Sequence, residues 1–187
     1  MSCYSRIRRQ QILQEVEGYI DLIRCFAHRW TLKAELRYRL ANRAIETLDR
    51  LDHTEANHLQ ALYFRGQALR FLHRYEDAVE PLRDASELDP ENVHINLALA
   101  WCYKRIGRID MAIQSLEEAL EIAPNMAIIH YNLACYWSLA SHVGLTLIHL
   151  SRAMEIDPTY RDAIAVESDF DPVRDHPEFS ALTSAVV

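Results

Sequence analysis

One arrangement of apolar and polar positions recurs along the chain. Pro90, Pro124 and Pro158 stand 34 residues apart, and the residues before them fall into columns. Twelve positions earlier come Ala78, Ala112 and Thr146; eight earlier, Leu82, Leu116 and Leu150; five earlier, Ala85, Ala119 and Ala153; two earlier, Leu88, Ile122 and Ile156. Steps of four, three and three place all four columns on one face of a helix. Small residues in two columns let a neighbouring helix approach closely, and leucine fills the space between. The proline then ends the helix, because it lacks an N–H and restricts the residue before it.

A second apolar helix precedes each of these, marked by Leu62, Leu69 and Leu72, then Leu99, Tyr103 and Ile106, then Leu133 and Trp137. Breaks are expected at His73-Arg74, Ile106-Gly107-Arg108 and Ser141 to Gly144. Each unit thus reads as helix, short turn, helix, with helices about 20 Å long. One such pair cannot bury its own apolar surface, so stacked neighbours supply the core.

The pattern weakens towards both ends. Ile12, Leu13, Val16, Tyr19, Ile20, Ile23 and Phe26 form an amphipathic stripe. Thr31 is a candidate cap for a long helix with Leu32, Leu36, Leu40, Ile45, Leu48 and Leu51. Ala44 and Leu48 keep phase with the columns, while Ala56 stands where a proline would be. This segment reads as a degenerate first unit or a helical hairpin, with a swappable or dimerising segment as the sharper alternative. After Pro158 a closing helix is expected over Tyr160 to Val166, then Asp169-Phe170-Asp171-Pro172, then a short helix around Pro177 to Leu182.

These features resemble the tetratricopeptide repeat family, whose pattern is W-x2-L-G-x2-Y, A-x3-F and P. The first part reads here as Leu62, Arg65, Gly66, Leu69; then Asn96, Leu99, Ala100, Tyr103; then His130, Leu133, Ala134, Trp137. The A-x3-F part reads Ala78 with Leu82, Ala112 with Leu116, and Thr146 with Leu150. No unit matches fully, and the middle one matches best. The tail resembles the segment that closes many bacterial arrays of this family. The resemblance implies an all-α fold, a right-handed superhelical stack of antiparallel helix pairs (a tetratricopeptide solenoid). It sets units at 59–92, 93–126 and 127–160, with 1–58 as N-terminal hairpin or degenerate repeat and 161–187 as C-terminal cap, in one continuous array.

Composition adds limits. The net charge is −7, with ten Lys/Arg against eight Asp/Glu in residues 1–58 and ten against nineteen in the rest. An acidic bulk disfavours nucleic acid, which needs clustered positive charge. Residues 122–151 hold no Asp, Glu, Lys or Arg, yet the repeat runs through them and polar side chains interrupt them, so a buried helix pair is expected rather than a membrane span. Cys3, Cys25, Cys102 and Cys135 form no CxxC pair and read as reduced thiols of a cytoplasmic protein. The N-terminus has basic residues without an apolar run behind them, unlike a secretory signal.

Candidate chemistry is sparse. The nine histidines form no HxxxH or HExxH, and there is no G-x-S-x-G or phosphate-binding glycine loop. Asp169, Asp171, Asp175 and Glu178 lack the glycine and terminal glutamate of a calcium loop, and helix capping and solvation are their expected roles. No catalytic residue, metal or cofactor is expected.

The informative stripe lies on the first helix of each unit. In this family it lines a concave groove, an orientation taken from the resemblance. It comprises Gln60, Tyr63, Phe64, Gln67, Arg70 and Phe71; then His94, Leu97, Ala98, Trp101, Lys104 and Arg105; then Ile128, Tyr131, Asn132, Cys135, Ser138 and Leu139. Aromatic walls bury apolar side chains, and Arg70, Lys104 and Arg105 suit a carboxylate. The expectation is a non-enzymatic adaptor that holds a partner's peptide, rich in acidic and apolar residues. The alternative is a self-associating scaffold, with the groove filled by the chain's own terminal segments and a homodimer through the end helices. The lysine clamp of relatives that bind chaperone C-termini is absent: Tyr63, Gln67, Ala98, Ile128 and Asn132 stand in its place.

Overall fold

A computed structural model describes residues 3–29, 33–52, 54 and 58–184. The helices, in chain order, are α1 (Cys3–Arg29), α2 (Ala34–Leu48), α3 (Leu59–Phe71), α4 (Tyr75–Leu88), α5 (Val93–Arg105), α6 (Ile109–Ile122), α7 (Ala127–Leu139), α8 (Val143–Ile156), α9 (Tyr160–Ile164) and α10 (Pro177–Ser184). A 3-10 helix, Ser168–Val173, lies between the last two. Among the described residues there is no strand, so the fold is all-α, as the columns require. The proposed cap Thr31 and the proline-equivalent Ala56 fall outside the described residues.

The columns explain the helices. Ala78, Ala112 and Thr146, Leu82, Leu116 and Leu150, and Ala85, Ala119 and Ala153 are all fully buried. Thr146 replaces an alanine without leaving a polar atom unmet, because its hydroxyl donates to the His142 carbonyl at 3.0 Å. The fourth column departs from expectation: Leu88 is 56% exposed and Ile122 39%. Each is the last residue of its helix and projects where the helix contact is ending. One residue then separates the helix end from Pro90, Pro124 and Pro158.

The breaks share one geometry. His73, Gly107 and Ser141 have φ of 59°, 78° and 59°, and they stand 34 residues apart. At each, the next N–H reaches back five residues: Arg74 to Leu69, Arg108 to Tyr103 and His142 to Trp137, at 2.8–2.9 Å. The left-handed residue itself bonds three back, to Arg70, Lys104 and Ser138. This is the Schellman closure of a helix end. His73 tolerates it with a bonded ring, which meets the Arg37 guanidinium at 3.0 Å and the Tyr75 hydroxyl at 2.6 Å.

The described residues fall into two compact units, residues 1–102 and 103–187. In the first, Ile12, Leu13, Val16 and Ile20 of α1 bury against Ala44 and Leu48 of α2 and against Ala61, Phe64 and Ala68 of α3. Helices α3 and α4 approach very closely. A Cβ on Gly66 would lie 2.4 Å from Leu82 Cγ, so glycine is what lets these helices meet. Ser86 of α4 bonds Asn96 of α5 at 3.3 Å.

In the second unit α7 is buried on most sides, with Ile129, Leu133, Ala134, Cys135 and Tyr136 at 2% exposure or less. This accounts for the uncharged stretch, and among the described residues no helix is long and apolar enough to cross a membrane. Within it, His130 contacts the Pro124 carbonyl through Nε2 at 3.0 Å and His149 Nδ1 through its own Nδ1 at 3.2 Å. A carbonyl only accepts, so His130 Nε2 carries the proton and His149 donates to His130. Burial and the neighbouring His130 bring His149 down to about 4.

Candidate functional site

The stripe residues of the first unit divide into covered and uncovered groups. Phe64 belongs to the core shared with α1, and Tyr63 and Phe71 pack against that core. Gln67 and Ala98 are buried. Three of the expected aromatic groove residues therefore spend surface on the core that α1, α2 and α3 share. Gln60 and His94 are exposed, Leu97 is half-buried and Trp101 is 40% exposed.

Arg70 sits half-buried at the end of α3, its guanidinium 5.5 Å from the centre of the Phe71 ring. Burial holds it below its usual value, and the Arg24 charge adds to this, while Cys102, Tyr63 and Tyr75 act the other way. Among the described residues no carboxylate pairs with it. The Cys102 thiol is pushed up to about 11 by burial, partly offset by Arg70. Fully buried and held in the thiol form, it packs in the interior.

The second unit treats its stripe differently. Lys104 pairs with Asp169 in the 3-10 helix, where both side chains are more than four-fifths buried, and its ammonium lies 5.9 Å from the Tyr136 ring centre. Tyr131 lies against Tyr160 at 4.7 Å and meets Phe170 edge-on at 5.8 Å. Phe170 continues to Phe179 of α10 at 5.5 Å. The C-terminal segment thus occupies Lys104, Tyr131 and the buried Cys135. Arg105 is exposed, Ile128, Asn132 and Leu139 are half-buried, and Ser138 is buried.

Asp169 corrects the expectation of capping and solvation, because it is a buried ion-pair partner. Capping falls instead to Glu167, whose carboxylate accepts from the Asp169 N–H at 3.2 Å. Asp171 bonds Arg174 at 3.0 Å, and Asp175 and Glu178 are exposed. Nothing in the sequence distinguished Asp169 from Asp171, since Phe170 stands beside both.

Donor atoms of Cys135, Glu167 and Asp169 lie within 4.8 Å of one another. The Lys104 ammonium already supplies positive charge there, and burial, with both carboxylates adding to it, drives the Cys135 thiol well above its usual value. The cluster is therefore a lysine-neutralised acidic pocket with a protonated thiol.

A family model described as "Tetratricopeptide repeat" matches residues 72–134. No curated protein matches the sequence. Solved structures do match in fold. MamA MSR-1 is 20% identical over 84% of this chain and 99% of that one, with a TM-score of 0.61. MamA AMB-1 is 19% identical over 83% and 100%, with a TM-score of 0.60. A crystal structure of MamA is 17% identical over 87% and 98%, also at 0.60. At these identities the likeness concerns the fold. The repeat that the family model matches supports a protein-interaction or scaffold role. The comparisons thus place a tetratricopeptide repeat across residues 72–134, set in a helix-pair fold like that of MamA.

Proposed function

We propose that this protein is a non-enzymatic, cytoplasmic adaptor that holds a peptide segment of another protein against the stripe of its first unit. One observation carries the reading. Leu97 and Trp101 offer apolar surface in the same unit as Arg70, a half-buried guanidinium with no carboxylate partner among the described residues. Removing a guanidinium from water without pairing it costs free energy that an incoming anion restores. A preformed site on rigid helices also lowers the ordering cost of binding. The ligand that fits is acidic and apolar.

The test compares capture of partner proteins from host extract by the parent and by an Arg70→Glu, Trp101→Ala variant. The expected outcome is loss of specific partners with helical content unchanged by circular dichroism. Identical capture by both proteins would defeat the reading.

A second reading, self-association through the N-terminal helices, draws on Ile7, Leu22 and Leu36, which are 52%, 46% and 44% exposed. Sedimentation equilibrium separates the two: a dimer that survives dilution, and is broken by Leu22→Glu, favours assembly.

A further inference from the structure

The C-terminal segment displays, inside the molecule, the kind of ligand this stripe accepts. Asp169 lies on Lys104, and the very next residue, Phe170, lies on Tyr131. Cys135 lies beside Asp169. Lys104, Tyr131 and Cys135 stand 34 residues after Arg70, Leu97 and Trp101. The first unit therefore repeats the same three positions, with arginine for lysine, leucine for tyrosine and tryptophan for cysteine.

Building on the peptide-binding reading above, we propose that Arg70, Leu97 and Trp101 recognise an acidic residue followed directly by an aromatic one in a partner segment. The carboxylate goes to Arg70 and the aromatic ring to Leu97 and Trp101. The substitutions between repeats favour an external ligand. A guanidinium presents a planar fork that grips a carboxylate through two parallel bonds, which an ammonium cannot do. The Phe71 ring 5.5 Å from Arg70 limits where the fork can turn, and Arg24 contributes further positive charge. Trp101, 40% exposed, presents an open aromatic surface where the equivalent Cys135 is buried. Acid and aromatic must be adjacent in sequence, because the consecutive residues Asp169 and Phe170 are what reach the two neighbouring positions, Lys104 and Tyr131.

A labelled peptide, Glu-Ser-Asp-Phe-Asp-Pro (the sequence of residues 167–172), tests this directly on the full chain by fluorescence anisotropy. The expected result is saturable binding. It should weaken at least about tenfold with Arg70→Gln in the protein, with Asn for the first Asp of the peptide, or with Ala for its Phe. Thermal melts confirm that Arg70→Gln is folded. No binding, or binding indifferent to Arg70→Gln, overturns the proposal. A random peptide library selected on the same protein distinguishes this from failure of the wider reading. Binders that lack the acid–aromatic pair yet are lost in Trp101→Ala leave the adaptor standing and remove this specificity. A library that yields no binder removes both.

Discussion

Two cations at equivalent repeat positions have opposite fates. Lys104 in the second unit is met by a carboxylate of its own chain, whereas Arg70 in the first has none among the described residues. The surrounding side chains follow suit. Tyr131 is met by the rings of both Tyr160 and Phe170, while Trp101 keeps two-fifths of its surface open. The same scaffold position thus serves cohesion in one unit and display in the other. What separates them is a short C-terminal segment rather than any change of helix geometry.

The largest expected effect tests cohesion. Phe170→Ala removes a fully buried ring between Tyr131 and Phe179 and should cost about 3–5 kcal/mol in denaturant unfolding. Trp101→Ala, at a partly open site, should cost about 1 kcal/mol or less. Equal losses would erase the distinction.

The charges come next. Lys104→Met strands Asp169 in a mostly buried place and should cost about 2–3 kcal/mol, largely recovered by adding Asp169→Asn. Arg70→Met removes a charge that lacks an anion, so stability should stay within about 0.5 kcal/mol or rise. A large loss there would mean that Arg70 is structural.

Acid should separate the units further. His149 is held neutral to about 4 by burial and by His130, below its unfolded value of about 6.5. The unfolded chain therefore binds the proton first as pH falls. The stability present above pH 6.5 is lost progressively down to about pH 4. For a group only half-buried the loss is about 1–2 kcal/mol. His149→Asn should flatten that part of the pH–stability curve.

The smallest effect concerns the turns. Ser141→Gly relieves a left-handed residue and should gain about 0.5 kcal/mol. His73→Gly should gain nothing, because it discards the bonds to Arg37 and Tyr75.

Much of the fold was legible because its signals recur. Three buried columns, three prolines and three turns repeat at one spacing, and each repetition tests the others. The fourth column misled, because periodicity describes an endless helix and Leu88 and Ile122 stand at helix ends. The site was harder to read. Stripe position alone made Phe64 and Tyr131 equal candidates, yet Phe64 is core of the N-terminal pair and Tyr131 is roofed by the C-terminal segment. Which positions stay open depends on where the irregular ends return, and no period encodes that. Asp169 was hidden for the same reason, as its partner lies 65 residues away.

The missing Cβ at Gly66 carries a consequence for how the chain can vary. The corresponding positions, Ala100 and Ala134, hold a methyl group without exposure, so alanine is acceptable to the repeat in general but not against Leu82 as it stands. The leucine is unchanged at 116 and 150, so what sets Gly66 apart is how closely α3 and α4 meet, not the identity of the residue it faces. Gly66→Ala would therefore have to shift the Leu82 side chain or spread α3 from α4, a demand that falls on this repeat.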